Sequence, residues 1–261
     1  MKPILVIFSA LALFAVRAGA QTPVGKDPEA NPGRPTVSTP ATLTPTGYLQ
    51  FETGLTAASH SPEFTSRFAP NEVMKFSVHP RLEFLASSEP FVHSRIVGHN
   101  INRVAEVFLG VQAVVRPGEG AKPTLAVSYF HRMYDGGAPE FDIGSSANSV
   151  VLLASADVKG FHYDANAMFN ELTEGSVRRG QFGQSLTISH SLTHKFTLSG
   201  EIWHFTQPFL RGNATGNLWA VSYAPRKTLV LDVGFNRGLT DTSTRWEAFV
   251  GFTYLLPHSL R

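Results

Sequence analysis

The chain has 261 residues, 22 lysines and arginines against 20 aspartates and glutamates, a formal net charge of +2, and no cysteine. This near-neutral balance argues against nucleic acid as a partner, and without thiols disulfides do not hold the protein together. Mean hydropathy is −0.03, and beyond the first segment the longest apolar run, about Val150 to Ala156, is too short for a spanning helix.

Lys2 gives a short basic start, Ile4 to Val16 is a compact apolar run, and Ala18-Gly19-Ala20 has the small-x-small form of a cleavage site. Residues 1–20 therefore read as a secretory signal peptide, with Gln21 as the mature start. Loss of Lys2 and Arg17 leaves 20 basic and 20 acidic residues. Residues 21–46 carry prolines at 23, 28, 32, 35, 40 and 45. Proline fixes φ and removes a donor, so an extended, non-helical segment is expected. Its predicted place is the periplasm, as a solvated lead-in to a barrel at residues 47–257, rather than as a plug.

From Tyr48 onward the apolar period is two, the mark of strands. Leu49, Phe51 and Leu55 alternate with Gln50, Glu52 and Gly54; Met74, Phe76 and Val78 with Lys75, Ser77 and His79; Leu82 and Phe84 with Arg81 and Glu83. Ala105 to Ala113 oppose Glu106 and Gln112, Leu125 to Tyr129 oppose Ser128 and Arg132, and Val150 to Val158 oppose Ser155 and Asp157. Phe161, Tyr163, Ala165, Ala167 and Phe169 share a face opposite His162, Asp164, Asn166 and Asn170. Leu186 and Ile188, then Phe196, Leu198 and Ile202 with Glu201 opposite, continue the pattern. Segments around Trp219 to Tyr223, Leu229 to Phe235 opposite Asp232, and Ala248 to Tyr254 opposite Glu247 complete about twelve strands.

Short links at His79–Arg81, Arg116–Pro123, Lys159–Gly160, Leu192–Lys195 and Ala224–Thr228 alternate with longer ones at Ser59–Arg67, Ser87–Asn102, Met133–Ala147, Leu172–Gly180 and Thr206–Asn217. Transmembrane barrels sort their connections this way, with short periplasmic turns and longer outer loops. The fold class expected is all-β, a transmembrane antiparallel up-and-down barrel of about 12 strands. Its apolar face meets lipid, where a charge costs ~2–4 kcal/mol near the midplane. The charged residues then fall on the inner face. The candidate lumen-lining residues are Glu52, Lys75, Arg81, Glu83, Glu106, Arg132, Asp157, His162, Asp164, Asn166, Glu201, Asp232 and Glu247. Two states of that row stand: a polar passage, or a network of paired charges that closes the lumen.

Two stretches resemble a known family. Gly33 to Thr56 (GRPTVSTPATLTPTGYLQFETGLT) and Leu231 to Leu256 (LDVGFNRGLTDTSTRWEAFVGFTYLL) are similar to the opening and the end of the phenol-degradation meta-pathway outer-membrane family. The resemblance implies an outer-membrane barrel passing hydrophobic or aromatic small molecules. It assigns no ligand-contact residues. Such barrels usually end on an aromatic read by the barrel-assembly machinery, whereas here Pro257 to Arg261 (PHSLR) follow Tyr254.

Catalytic signals are weak. Ser189 and His190 are adjacent, so a strand points them to opposite faces and they form no dyad. Asp135, Glu140 and Asp142 lack the spacing of a calcium loop. No cofactor motif and no enzyme activity are expected. The predicted partners are outer-membrane lipid, the assembly machinery and a small-molecule substrate that the sequence leaves unspecified. The alternatives are a plugged structural or adhesive barrel and a soluble exported ligand-binding β protein.

Overall fold

The computed structural model describes residues 27–139, 146–210 and 212–256; the expected signal peptide and the Pro257–Arg261 tail lie outside them. Its strands are β1 (Leu49–Ser59), β2 (Ser66–His79), β3 (Leu82–Ser88), β4 (Val92–Ile96), β5 (His99–Arg103), β6 (Val107–Arg116), β7 (Thr124–Tyr134), β8 (Ser146–Val158), β9 (Phe161–Glu174), β10 (Val177–Ser191), β11 (Phe196–Gln207), β12 (Gly212–Arg226), β13 (Leu229–Gly238) and β14 (Trp246–Leu255). Chain neighbours pair antiparallel, except that β3 pairs with β6 and the β4–β5 hairpin joins the sheet through β2; β1 pairs with both β2 and β14. This closes a ring of twelve strands, all but β4 and β5, so that the ring itself has no edge strand.

Alternation sorts the two faces. Leu55, Phe84, Leu152, Phe161, Phe169, Ile202, Val233 and Val250 are exposed on the outside, whereas Gln50, Ser77, Gln112, Thr187 and Thr253 are buried inside. A closed sheet with an apolar exterior and a polar interior is the reverse of a soluble barrel, and lipid is the solvent that suits it. The short connections, Pro80–Arg81, 117–123, Lys159–Gly160, 192–195 and Lys227–Thr228, all lie at one end with the start of β1 and the end of β14. At Lys159–Gly160 both residues take positive φ, 52° and 83°, the tight hairpin turn whose twist matches the flanking strands.

The opposite end differs from expectation in three places. Leu172–Gly180 is not a loop: β9 and β10 stay paired out to Glu174↔Val177. Ser87–Asn102 contains the β4–β5 hairpin, and β11 pairs with β12 as far as Gln207↔Gly212. These segments extend beyond the apolar band, where the outward face is itself polar and the period-two contrast vanishes.

The largest departure is the proline-rich lead-in. Residues 27–46 are not solvated outside the barrel. They enter at the short-turn end, where Ala30 N–H donates to the Lys227 carbonyl (2.8 Å), and fold through the lumen. They return to the same end, where Gly47 N–H donates to the Ser77 carbonyl (2.7 Å). Ser38 and Ala41, midway along, are fully buried.

Candidate functional site

An extended proline-rich chain makes no hydrogen bonds with itself, so each of its buried N–H groups needs an acceptor elsewhere. The inward row of the barrel supplies them. Gly33 N–H donates to Glu52 (3.0 Å), Val37 and Ser38 N–H to the two carboxylate oxygens of Glu201 (2.8 and 2.6 Å), and Thr44 N–H to Glu83 (2.9 Å). Thr39 and Asn166 exchange a reciprocal pair (2.7 and 3.0 Å), as do Asn31 and Gln50 (both 2.8 Å). Ala41 N–H donates to Ser155 Oγ, and the Pro40 carbonyl accepts from Gln112. The hydroxyls of Ser38 and Thr44 add bonds to Glu201 and Glu83.

Arg34 carries the lead-in's inner charge. It pairs with Asp232 (Nη2–Oδ1, 3.2 Å) and donates to Asn71. Its guanidinium lies against Gly54 and Gly251, which face each other across the β1–β14 ladder. A Cβ on Gly54 or Gly251 would come within 2.4 or 2.7 Å of Arg34 atoms, so only glycine leaves room for it.

The predicted lumen residues thus fall into separate groups. Glu52, Glu83, Asn166, Glu201 and Asp232 bind the lead-in; Lys75 pairs with Glu52 (2.5 Å). Asp164 accepts from Ser155 and faces His162 (3.2 Å), which also touches Asp157 (2.8 Å) at the exposed short-turn rim. Arg81 does not line the lumen. A register shift between Ser77 and His79 leads into the turn that holds it, and it is exposed there. Glu106 and Arg132 pair at the other end of β6 and β7 (2.5 Å), and Glu247 lines a cavity in the outer half.

That cavity, about 250 Å³, lies above the lead-in between Pro35–Val37 and the side chains of Trp203, Phe205, Leu218 and Phe249. Sequence periodicity overlooked these inward aromatics. Each lies flat because its directly paired neighbour is glycine: Trp203 over Gly216, Phe205 over Gly183, Phe249 over Gly234, and Phe130 likewise over Gly110. A Cβ at those glycines would come within 2.2–2.6 Å of the ring. Lying flat, the rings clad the wall instead of crossing the lumen. Trp203 Nε1–H donates to Asn236 (2.9 Å), which satisfies its polar edge. A signal for them existed: Glu201 faces inward, so residues 203 and 205 share its parity.

Ser189 turns inward to Ser199 (2.8 Å), while His190 turns outward, bonded to the Gly160 carbonyl and packed on Phe161. Asp135 caps the Gly137 N–H; Glu140 and Asp142 lie outside the described residues.

No protein-family model and no curated protein matches this sequence. Among solved structures, the chain is similar in fold to an outer-membrane channel from Pseudomonas putida F1, with TM-score 0.60 and 13% identity over 87% of this chain and 100% of that one. The NanC porin matches at TM-score 0.55 and 10% identity, covering 79% of this chain and 98% of that one. The KdgM porin matches at TM-score 0.52 and 9% identity, with the same coverages. The fold is that of outer-membrane channel barrels.

Proposed function

We propose that this protein sits in a bacterial outer membrane and passes small, uncharged, single-ring aromatic molecules from the outer mouth into the aromatic cavity. The cavity carries the reading. At about 250 Å³ it exceeds the ~150 Å³ site that holds benzene in an apolar protein interior, so a substituted ring fits. Its walls offer Trp203, Phe205 and Phe249 as apolar faces and Asn71 and Asn236 as polar edges, with Arg34, Glu89 and Glu247 at its charged margin, an apolar pocket with a few polar groups as expected of a small-molecule site. Resemblance of Gly33–Thr56 and Leu231–Leu256 to the phenol-degradation outer-membrane family supports the aromatic class, and the fold of the neighbouring channels supports transport. Short turns then face the periplasm, and the lead-in narrows the periplasmic half.

A second reading, a plugged structural barrel, is favoured by how much of that half the lead-in fills. Reconstitution in a planar bilayer separates the two. The transport reading expects ion current that benzyl alcohol interrupts and erythritol does not, with the interruptions lost in Trp203→Ala. A folded, heat-shifted barrel carrying no current supports the structural reading instead.

A further inference from the structure

Every short turn carries a base. Arg81, Arg116, Lys122, Lys159, Lys195 and Arg226 lie in these turns or on the strand residues that enter them, and all six are exposed. None of the six has a carboxylate partner among the described residues, whereas Lys227 pairs with Asp27 (3.1 Å). Acids at this end are fewer. Asp157 is held by His162 (2.8 Å), which leaves Glu29 and Glu119. At the opposite end acids and bases mix, and Arg132 and Arg178 pair with Glu106 and Glu171.

Where strand register fixes a side, the bases face outward and not into the mouth. Arg116 stands directly opposite Leu125, and Arg226 opposite Leu229. These leucines share parity with Tyr129 and Leu231, exposed on the outer face. Aromatic rings lie just above: Phe84 is three residues from Arg81, Phe161 two from Lys159, Phe196 next to Lys195, and Tyr223 three from Arg226. Phe196 and Tyr223 pair across the ladder with ring centroids 4.7 Å apart. Aromatic belts mark the boundary of the hydrocarbon, so long basic side chains beyond them reach the level of the headgroup phosphates.

The spacing of the bases says what they meet. The five turns join β2–β3, β6–β7, β8–β9, β10–β11 and β12–β13. They fall at every second interval around the ring of twelve, and β14 and β1 close the sixth. A folded protein partner would cover one arc of such a rim, whereas a lipid leaflet surrounds all of it.

We infer that this rim is a collar that binds anionic phospholipid, of the phosphatidylglycerol and cardiolipin class, in the leaflet that meets the short turns. The inference rests on the membrane reading with the short turns at the periplasm, and it adds a lipid preference that fixes the depth of the barrel. A choline headgroup offsets its own phosphate with an ammonium, so the collar discriminates by net charge. Bases close to an anionic surface are each attracted to it, and five turns share the effect.

Electron paramagnetic resonance tests this with phosphatidylglycerol and phosphatidylcholine, each spin-labelled on an acyl chain, in phosphatidylcholine vesicles that carry the protein. The fraction of each label immobilised at the barrel gives the preference. A collar variant combines Arg81→Gln, Arg116→Gln, Lys159→Asn, Lys195→Gln and Arg226→Gln, with asparagine at 159 because φ there is 52°. A control variant carries Arg95→Gln and Arg178→Gln at the long-loop end. Both are first confirmed as folded by their heat-shifted bands. The collar requires a preference for phosphatidylglycerol of about threefold or more, kept in the control and abolished in the collar variant. Salt at 1 M, which shortens electrostatic reach to about 3 Å, should abolish it in the unaltered protein, a check that needs no variant. A smaller preference in the unaltered protein, one that survives salt or the collar changes, or one lost equally in the control overturns the collar and leaves the membrane reading standing. Absence of any immobilised lipid around the unaltered protein overturns the membrane reading itself.

Discussion

At the scale of single residues, the inner carboxylates are receptors for backbone. Glu201 accepts three donors from Val37 and Ser38, and hydrogen bonds to a charged acceptor each contribute ~1.5–3 kcal/mol. Glu201→Leu should free that turn of the lead-in, raising its cleavage by an added protease about tenfold or more while the folded band persists. Arg34 and Asp232 form a buried pair, with side-chain exposures of 12% and 2%. Arg34→Ala strands the Asp232 carboxylate at a cost of ~3–5 kcal/mol, readable as a lower temperature for loss of the heat-shifted band. The Arg34→Met, Asp232→Leu double variant should recover most of it, since an apolar replacement of both partners removes the stranded charge. Gly251→Ala should lower the same temperature without removing either charge, because its Cβ meets the Thr53 carbonyl at 2.6 Å and the Arg34 guanidinium at 2.7 Å.

At the scale of elements, strand faces are legible wherever lipid bounds one of them. The alternation of Phe161, Tyr163 and Phe169 against His162, Asp164 and Asn166 gives the right sides, because hydrocarbon enforces apolar residues at every second position. The same rule fails outside the band. Leu172–Gly180 looks like a loop in sequence, yet it is ladder to Glu174↔Val177, held by backbone bonds that leave no hydropathy trace. The inward aromatics are hidden for a related reason: Ile202, Trp203 and Phe205 are all apolar, so hydropathy alone does not tell a lipid-facing side chain from a lumen-facing one. Register does, since Gly216 and Gly183 stand opposite Trp203 and Phe205. Gly216→Val should push the Trp203 ring off the wall, shifting its emission and weakening aromatic block of the ion current, with the strand pairing intact.

At the scale of the whole molecule, closure, strand number and the sorting of turns follow from the sequence, but the fate of the lead-in does not. Its prolines specify extension and nothing about location. Location is set by the match between donors on residues 33–44 and acceptors on β1, β3, β8, β9 and β11, a long-range complementarity with no local pattern. The row of charges and the proline-rich segment, separate features in sequence, are one device in space. It divides the barrel into a filled half near the short turns and an aromatic cavity beyond it.

Single-channel conductance with and without residues 27–46 tests this division most directly, on proteins first confirmed as folded by their heat-shifted bands. With the lead-in inside the lumen, its removal should raise conductance severalfold and leave the bared carboxylates Glu52, Glu83, Glu201 and Asp232 to favour cations. Equal conductance and equal ion selectivity in the two proteins would mean that the segment does not occupy the lumen, and the division of the barrel would fall with it.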